Sequence, residues 1–245
     1  MPDSPGVRVF ESAADALEEL ARTIAKQLEP EGALVLTGGR SAKQLYGLLV
    51  PHLKSRPALV ESMHLFLGDE RRVSHDSDQS NYRMAKHCLL DALGPALEKD
   101  RVFAMPTDGA TPDLDAASYE DALLRFQATR VGPELFDVVL LSLGTDGHVA
   151  SLFPGGSELQ ARDRLVVSST APFAPAERIS LTFTALNSGR HLHLIALGSE
   201  KVQALRHFFE RDMDIPAHGL DPSRLTVWLD RQAAQSLPLR GSASS

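Results

Sequence analysis

Short apolar blocks recur along this chain, and stretches of helical periodicity separate them. Residues 33–36, 63–67 and 138–143 are almost unbroken apolar runs. Runs of that length that end at or near glycine suit strands buried on both faces of a parallel sheet. Residues 7–10, 101–104, 165–167, 178–182, 191–198 and 225–228 read as further strands. Between them the spacing turns helical. In 12–28 the apolar positions are Ala13, Leu17, Leu20, Ile24 and Leu28, one face of a helix. Ser12 is placed to cap it, and Asp15 three residues on mimics a capping box. Helices are also expected over 42–50, from Ser80-Asn81 through 90, over 114–129, as a turn at 183–187, from Gly198-Ser199 through Phe208, and after Asp230, which would cap the last one. Loops are expected at 106–112 and 172–175. Strands and helices in alternation predict a three-layer α/β/α fold around a mostly parallel sheet. The chain shows no internal repeat, low-complexity block or linker, so one domain over 1–245 is expected, with residues 241–245 (GSASS) as a frayed tail.

The chemistry gathers where predicted strands end. The run 138–143 leads into Gly144-Thr145-Asp146-Gly147-His148. Thr145 and Asp146 are good caps for a following helical turn, which would set His148 near a helix N-terminus. Open α/β sheets place their ligand crevice at this edge, and an imidazole there can act as a general base near neutral pH. The same residue could equally be a histidine satisfied by the backbone. After 33–36 comes Thr37-Gly38-Gly39-Arg40-Ser41, then a helix. Paired glycines let backbone amides approach an anion, and the helix dipole adds to that; without the full P-loop or dinucleotide spacing, a plain tight turn is also open. After 63–67, Gly68-Asp69-Glu70-Arg71-Arg72 packs four charges together, either a solvated loop or part of the ligand edge. Lys201 is placed to meet an anion or simply to face solvent.

Composition narrows the classes. Across 245 residues the net charge is −7, which argues against nonspecific nucleic-acid binding but leaves room for a local basic pocket. The single cysteine, Cys88, excludes an intrachain disulfide framework and a thiolate-rich metal site. Nine histidines raise a metal question. His191 and His193 share one strand face, but no third ligand stands at a known spacing and H-E-x-x-H is absent, so no metal is expected. His87-Cys88 reads as packing, and Ser151 lacks the G-x-S-x-G elbow of a serine hydrolase. No apolar run is long enough to span a bilayer. The start MPDSPGVRVF has no apolar core behind a basic flank, so a cytoplasmic location is expected.

Several segments together resemble one family. L-T-G-G-R-S-A-K-Q-L-Y (36–46), G-D-E-R-R-V with S-N-Y-R-M (68–84), L-G-T-D-G-H-V-A-S-L-F-P-G (143–155), R-I-S-L-T (178–182) through G-S-E-K (198–201), and I-P-A with V-W-L-D-R-Q-A-A (227–234) are similar to the 6-phosphogluconolactonases. The D-G-H-x-A-S-L-F-P-G segment is highly specific, whereas the glycine pair is weak alone. Where that family usually has Ser-Thr-Pro after the glycines, this chain has Arg40-Ser41-Ala42. The resemblance implies hydrolysis of 6-phospho-D-glucono-1,5-lactone to 6-phosphogluconate, a glucosamine-6-phosphate deaminase-like fold and no metal or other cofactor. On that basis His148 is the expected base, and Asp146 either orients it or only caps a helix. The expected substrate and phosphate set is Gly38, Gly39, Arg40, Ser41, Arg71, Arg178 and Lys201, with Asp69 and Asn81 holding Arg71 and its loop in place.

Two alternatives come from other classes. Glucosamine-6-phosphate deaminases share the glycine turn, the Asp-Glu pair and D-G-H, but their motif continues to a glutamate that assists ring opening through the histidine. The matching position here is Phe153. A sugar-phosphate-binding regulator with lost turnover would be expected to carry a basic DNA-binding segment, and none is seen. The expected partner is a small phosphorylated sugar lactone, without nucleic acid or membrane.

Overall fold

The computed structural model describes residues 4–211, 213–235 and 237; the tail 241–245 lies outside them. Among the described residues ten strands form two sheets: β1 (Gly6–Phe10), β2 (Ala33–Leu36), β3 (His64–Leu67), β4 (Asp69–Arg71), β5 (Val102–Phe103), β6 (Phe136–Ser142), β7 (Val166–Thr170), β8 (Glu177–Leu181), β9 (Gly189–Ala196) and β10 (Leu225–Asp230). Seven of them make a parallel sheet in the order β1-β10-β9-β6-β2-β3-β5. Helices flank it. The central strands are apolar because both faces are covered: every residue of β2 is buried, as are the first six of β6. The strand order runs one way from β2 to β3 and β5, and the other way from β6 to β9 and β10. The β2/β6 junction is thus a topological switch point, where such sheets open a crevice beyond the strand ends.

The second sheet, β4-β8-β7, is antiparallel and was not anticipated from strand–helix alternation. Gly68 connects the two sheets. Its N–H donates to Leu36 O at 2.8 Å, and its carbonyl accepts from the Leu181 N–H at 2.9 Å. The charged run after it is therefore neither a solvated loop nor free of structure. Arg72 pairs with the buried Asp115 at 2.7 Å and with Glu177 at 3.1 Å, which ties the small sheet to the Pro112–Gln127 helix.

The first helix, Ala13–Gln27, is capped by Ser12, whose Oγ accepts from the Asp15 N–H at 3.2 Å. The capping box does not form, because Asp15 takes the Ser12 hydroxyl at 2.6 Å instead of the Ser12 amide. The second helix runs Arg40–Lys54, straight through Pro51, rather than ending at 50. Gly47, four residues before Pro51, has open space beside it, and buried Leu49 and Leu53 hold the turn on both sides of the proline. The third expected helix is Asn81–Ala85, continued by a π-helical turn Lys86–Leu90. Among the described residues no helix follows Asp230. It ends β10 and accepts from the N–H groups of Gly198 (3.0 Å) and Ala233 (2.9 Å), so it stitches two loops together.

His193 shows how strongly the core selects a protonation state. It is 2% exposed on β9. Trp228 Nε1–H donates to its Nδ1 at 3.1 Å, so Nδ1 must be unprotonated, and Nε2–H faces Gln27 Oε1 at 2.7 Å. Burial, helped by His191 and Arg8, pushes the ring down to about 3. The unfolded chain binds this proton near pH 6.5 and the folded chain does not, so stability is full above 6.5 and falls as pH drops toward 3. The expected slope is about 1.4 kcal/mol per pH unit from this group. Urea melts at pH 7 and pH 5 are expected to show a larger stability loss for wild type than for His193→Leu; equal losses would remove His193 from the acid response.

Candidate active site

Two glycine turns lie side by side at the β2/β6 junction. After β2 the chain turns at Gly38 and Gly39, the latter at φ +101°, and enters the Arg40–Lys54 helix. A side chain at Gly38 would fall 2.3 Å from Asn81 Oδ1, so only glycine lets Asn81 close over the turn. Gly39 is the N-cap and provides no side-chain acceptor, leaving the first helical amides without a side-chain partner. Ser142, at the end of β6, donates to Gly38 O at 3.2 Å and joins the two turns.

After β6 the segment 144–148 is a tight turn, with no helix behind it. Asp146 is therefore not a helix cap. Its Oδ1 accepts from the His148 N–H at 3.2 Å and meets His148 Nδ1 at 2.5 Å. Gly144 is needed beneath this pair, since a Cβ there would come within 2.1 Å of Nδ1 and 2.6 Å of Oδ1. Burial pushes the Asp146 carboxyl up, but the hydrogen bond and charge of His148 outweigh it and hold the group below its ordinary value. An ionised Asp146 requires the proton on Nδ1, which leaves Nε2 with its lone pair. The half-buried imidazole rests against the Phe153 ring at 4.7 Å.

The small antiparallel sheet supplies cations. Arg71 and Arg178 face each other across β4 and β8. Arg178 is 2% exposed. Its guanidinium lies over the Phe173 ring at 5.7 Å, and its Nη1 donates to Glu177 O at 3.4 Å. Burial, and then the like charge of Arg71, lower its proton affinity. Two adjacent guanidinium groups, one of them buried, make a strong demand for an anion. Lys201 is half-buried beyond β9, and desolvation lowers its proton affinity first, with Glu200, Arg40 and Asp146 near enough to contribute.

The expected residues do not all sit alike. Gly38 and Gly39 follow the carboxyl end of β2, Asp146 and His148 that of β6 and Lys201 that of β9, while Arg71 and Arg178 are paired on the small sheet. Arg40 stands at the rim of the cleft that Gly39, Lys43 and Arg71 line. Its side chain is 92% exposed and pairs with Glu200 at 3.0 Å, because the first position of the helix faces solvent. Ser41 is on the same first turn, half-buried. Asp69 and Asn81 are buried and satisfied within the protein. Asn81 Nδ2 donates to Asp69 O at 2.9 Å, and Asp69 Oδ2 accepts from Ser151 Oγ at 2.7 Å.

Sequence reasoning missed four contributors. Glu70 is fully buried and accepts from the N–H groups of Arg71 (2.7 Å), Asn81 (2.7 Å) and Tyr82 (2.8 Å) and from Ser80 Oγ (2.9 Å), so it shapes the Arg71 loop. Its position in an unbroken D-E-R-R run hid it among surface charges. Ser151, dismissed as a nucleophile, couples the histidine turn to β4 through Asp69. Lys43 and Arg83 join Gly39, Arg71 and Asn81 around a cleft of about 370 Å³. Only the tertiary fold places them there.

Residues 8–228 match the family model for glucosamine-6-phosphate isomerases/6-phosphogluconolactonase. A 6-phosphogluconolactonase of Synechocystis is 37% identical over 213 residues, which span 84% of this chain and 85% of that protein. A solved 6-phosphogluconolactonase from Trypanosoma cruzi superposes with a TM-score of 0.82 at 27% identity, covering 97% of this chain and 98% of the other. A monomeric glucosamine-6-phosphate deaminase shares the fold, with a TM-score of 0.80 at 20% identity over 94% and 99% of the two chains. On these grounds the chain belongs to the glucosamine-6-phosphate isomerase/6-phosphogluconolactonase family.

Proposed function

We propose that this protein hydrolyses 6-phospho-D-glucono-1,5-lactone to 6-phospho-D-gluconate in the oxidative pentose phosphate pathway, working as one domain in the cytoplasm. Among the described residues no helix is long and apolar enough to cross a membrane. The observation that carries the reading is the His148 ring, bound through Nδ1 to Asp146 and packed against Phe153. In the related deaminase motif this neighbour is a glutamate, which relays protons through the histidine. A phenyl ring cannot, so the site retains a base for water and lacks the relay for ring opening.

The chemistry follows from these groups. His148 Nε2 takes a proton from water as the water oxygen bonds to C1 of the lactone. The tetrahedral intermediate then collapses, the C1–ring oxygen bond breaks, and the imidazolium returns the proton to that oxygen. Asp146 holds the tautomer and stabilises the transient charge. Arg71, Arg178, Lys201 and the Gly38-Gly39 amides receive the phosphate, with Ser41 beside them and Arg40 at the rim. Asp69 and Asn81 keep the Arg71 loop in register.

Fresh lactone given to pure protein is expected to release acid above the spontaneous rate, with no ammonia from glucosamine 6-phosphate. Ammonia release would make it a deaminase, and binding without either reaction would make it a sensor. The lactone is an activated ester, and a histidine base with oxyanion donors supplies about 5–8 kcal/mol of barrier lowering. Dialysis against a strong chelator is accordingly expected to leave the rate unchanged. Activity lost on chelation and restored by one added metal would overturn the water-activating role of His148.

A further inference from the structure

Phe173 lies on the loop between β7 and β8 and is 51% exposed. A lone exposed ring carries nothing by itself; here its two contacts matter. Its ring meets Phe153 edge-on at 5.7 Å, and Phe153 in turn lies 4.7 Å from His148. On the other side is the Arg178 guanidinium, 5.7 Å from the ring centre. Phe173 thus stands between the group that activates water and the buried cation. Those are the two places a 6-phosphorylated lactone must reach at once, with its carbonyl at C1 and its phosphate on C6. What lies between those ends is a six-membered ring that presents C–H bonds on its faces. The polar side chains between the histidine turn and β4, Asp69, Asn81 and Ser151, are buried and hydrogen-bonded to the protein itself, so they offer no wall for such a face. Aromatic rings are the natural partners for a C–H face, and pockets use such walls to exclude water. Pro172 and Pro175 restrict the backbone around Phe173, so little freedom is lost when a ligand covers it.

We infer that Phe173 is a positioning residue against which the sugar ring of the lactone packs, setting substrate binding rather than the chemical step. This rests on the lactonase reading above. Because the contact is to the ring and not to the phosphate, it serves phosphorylated and unphosphorylated lactones alike.

The test is a kinetic split with conservative rescue. Phe173→Ala is expected to raise KM about three- to tenfold, the scale of one aromatic contact. The rise is the same on both lactones, with kcat and the thermal midpoint unchanged. Phe173→Tyr and Phe173→Leu are expected to restore most of the loss. A direct reporter is Phe173→Trp, whose emission is expected to shift to the blue when 6-phosphogluconate is added. The native Trp228 is 1% exposed and stacked on Phe10, so it contributes a constant background. If Phe173 merely shields Phe153, Phe173→Ala lowers kcat through a loosened His148 and leaves KM alone; that result overturns the inference, as does an unshifted emission with product bound. In both of those cases wild-type lactonase activity keeps the functional reading intact. A wild-type protein that does not hydrolyse the lactone overturns both.

Discussion

His148→Ala is expected to lower kcat on 6-phospho-D-glucono-1,5-lactone by about a hundredfold or more, the usual size of a lost general base. The geometry explains why the loss falls on kcat. Asp146 binds Nδ1 at 2.5 Å, and Gly144 lies too close beneath the pair for any side chain, so the ring is held in one orientation. Only Nε2 then remains to take the proton of water. The residues proposed to hold the phosphate lie on other elements, Arg71 and Arg178 on the small sheet and Lys201 beyond β9, so KM is expected to change little. Asp146→Asn is expected to lower kcat in the same direction, because an amide can present N–H to the ring and stabilise the wrong tautomer. Steady-state rates on both variants, with circular dichroism to show that each is folded, decide the matter. A folded His148→Ala enzyme with near wild-type kcat sinks the assignment.

Arg71→Ala and Lys201→Ala are expected to act on kcat/KM, each by about tenfold to a hundred-and-fiftyfold, equivalent to the 1.5–3 kcal/mol of a charge-assisted hydrogen bond. The loss is expected on the phosphorylated lactone and not on the unphosphorylated one. Arg71 is positioned from behind: Glu70 accepts its amide N–H, and its own Nη1 donates to Gln79 O at 2.5 Å, so one end of the guanidinium is fixed and the rest is left for an anion. Arg71→Lys is expected to restore only part of the activity, since an ammonium lacks the planar fork. Lys201 is already partly desolvated, so a phosphate regains for it the ionic partner that burial withholds. Equal losses on both substrates would show that neither residue reads phosphate. The contrast with Phe173→Ala, expected to affect both substrates equally, separates phosphate recognition from ring recognition.

Much of this molecule was legible in its linear pattern. Apolar runs at 33–36 and 138–143 can satisfy themselves only between two helical layers, and β2 and β6 are such strands, buried along nearly their whole length. Glycine after each run marked the turns, and D-G-H marked the tight turn that carries His148, because local backbone chemistry sets those features within a few residues. The Asp146–His148 contact spans two positions and is of that local kind. What sequence could not decide depended on distant partners. Gly68-Asp69-Glu70-Arg71 looks like a surface charge run until β8, more than a hundred residues later, pairs with it and buries Glu70. Asp230 looks like a helix cap until Gly198, brought alongside by the parallel sheet, donates to it. Nothing in the glycine turn shows that Arg40 will pair with Glu200, 160 residues on. The pairing of Arg71 with Arg178, and the placing of Phe173 between Arg178 and the histidine, exist only once the antiparallel sheet has closed. Sequence sets local geometry through backbone preference and periodicity, whereas the burial of charge is settled by whichever remote element comes to cover it.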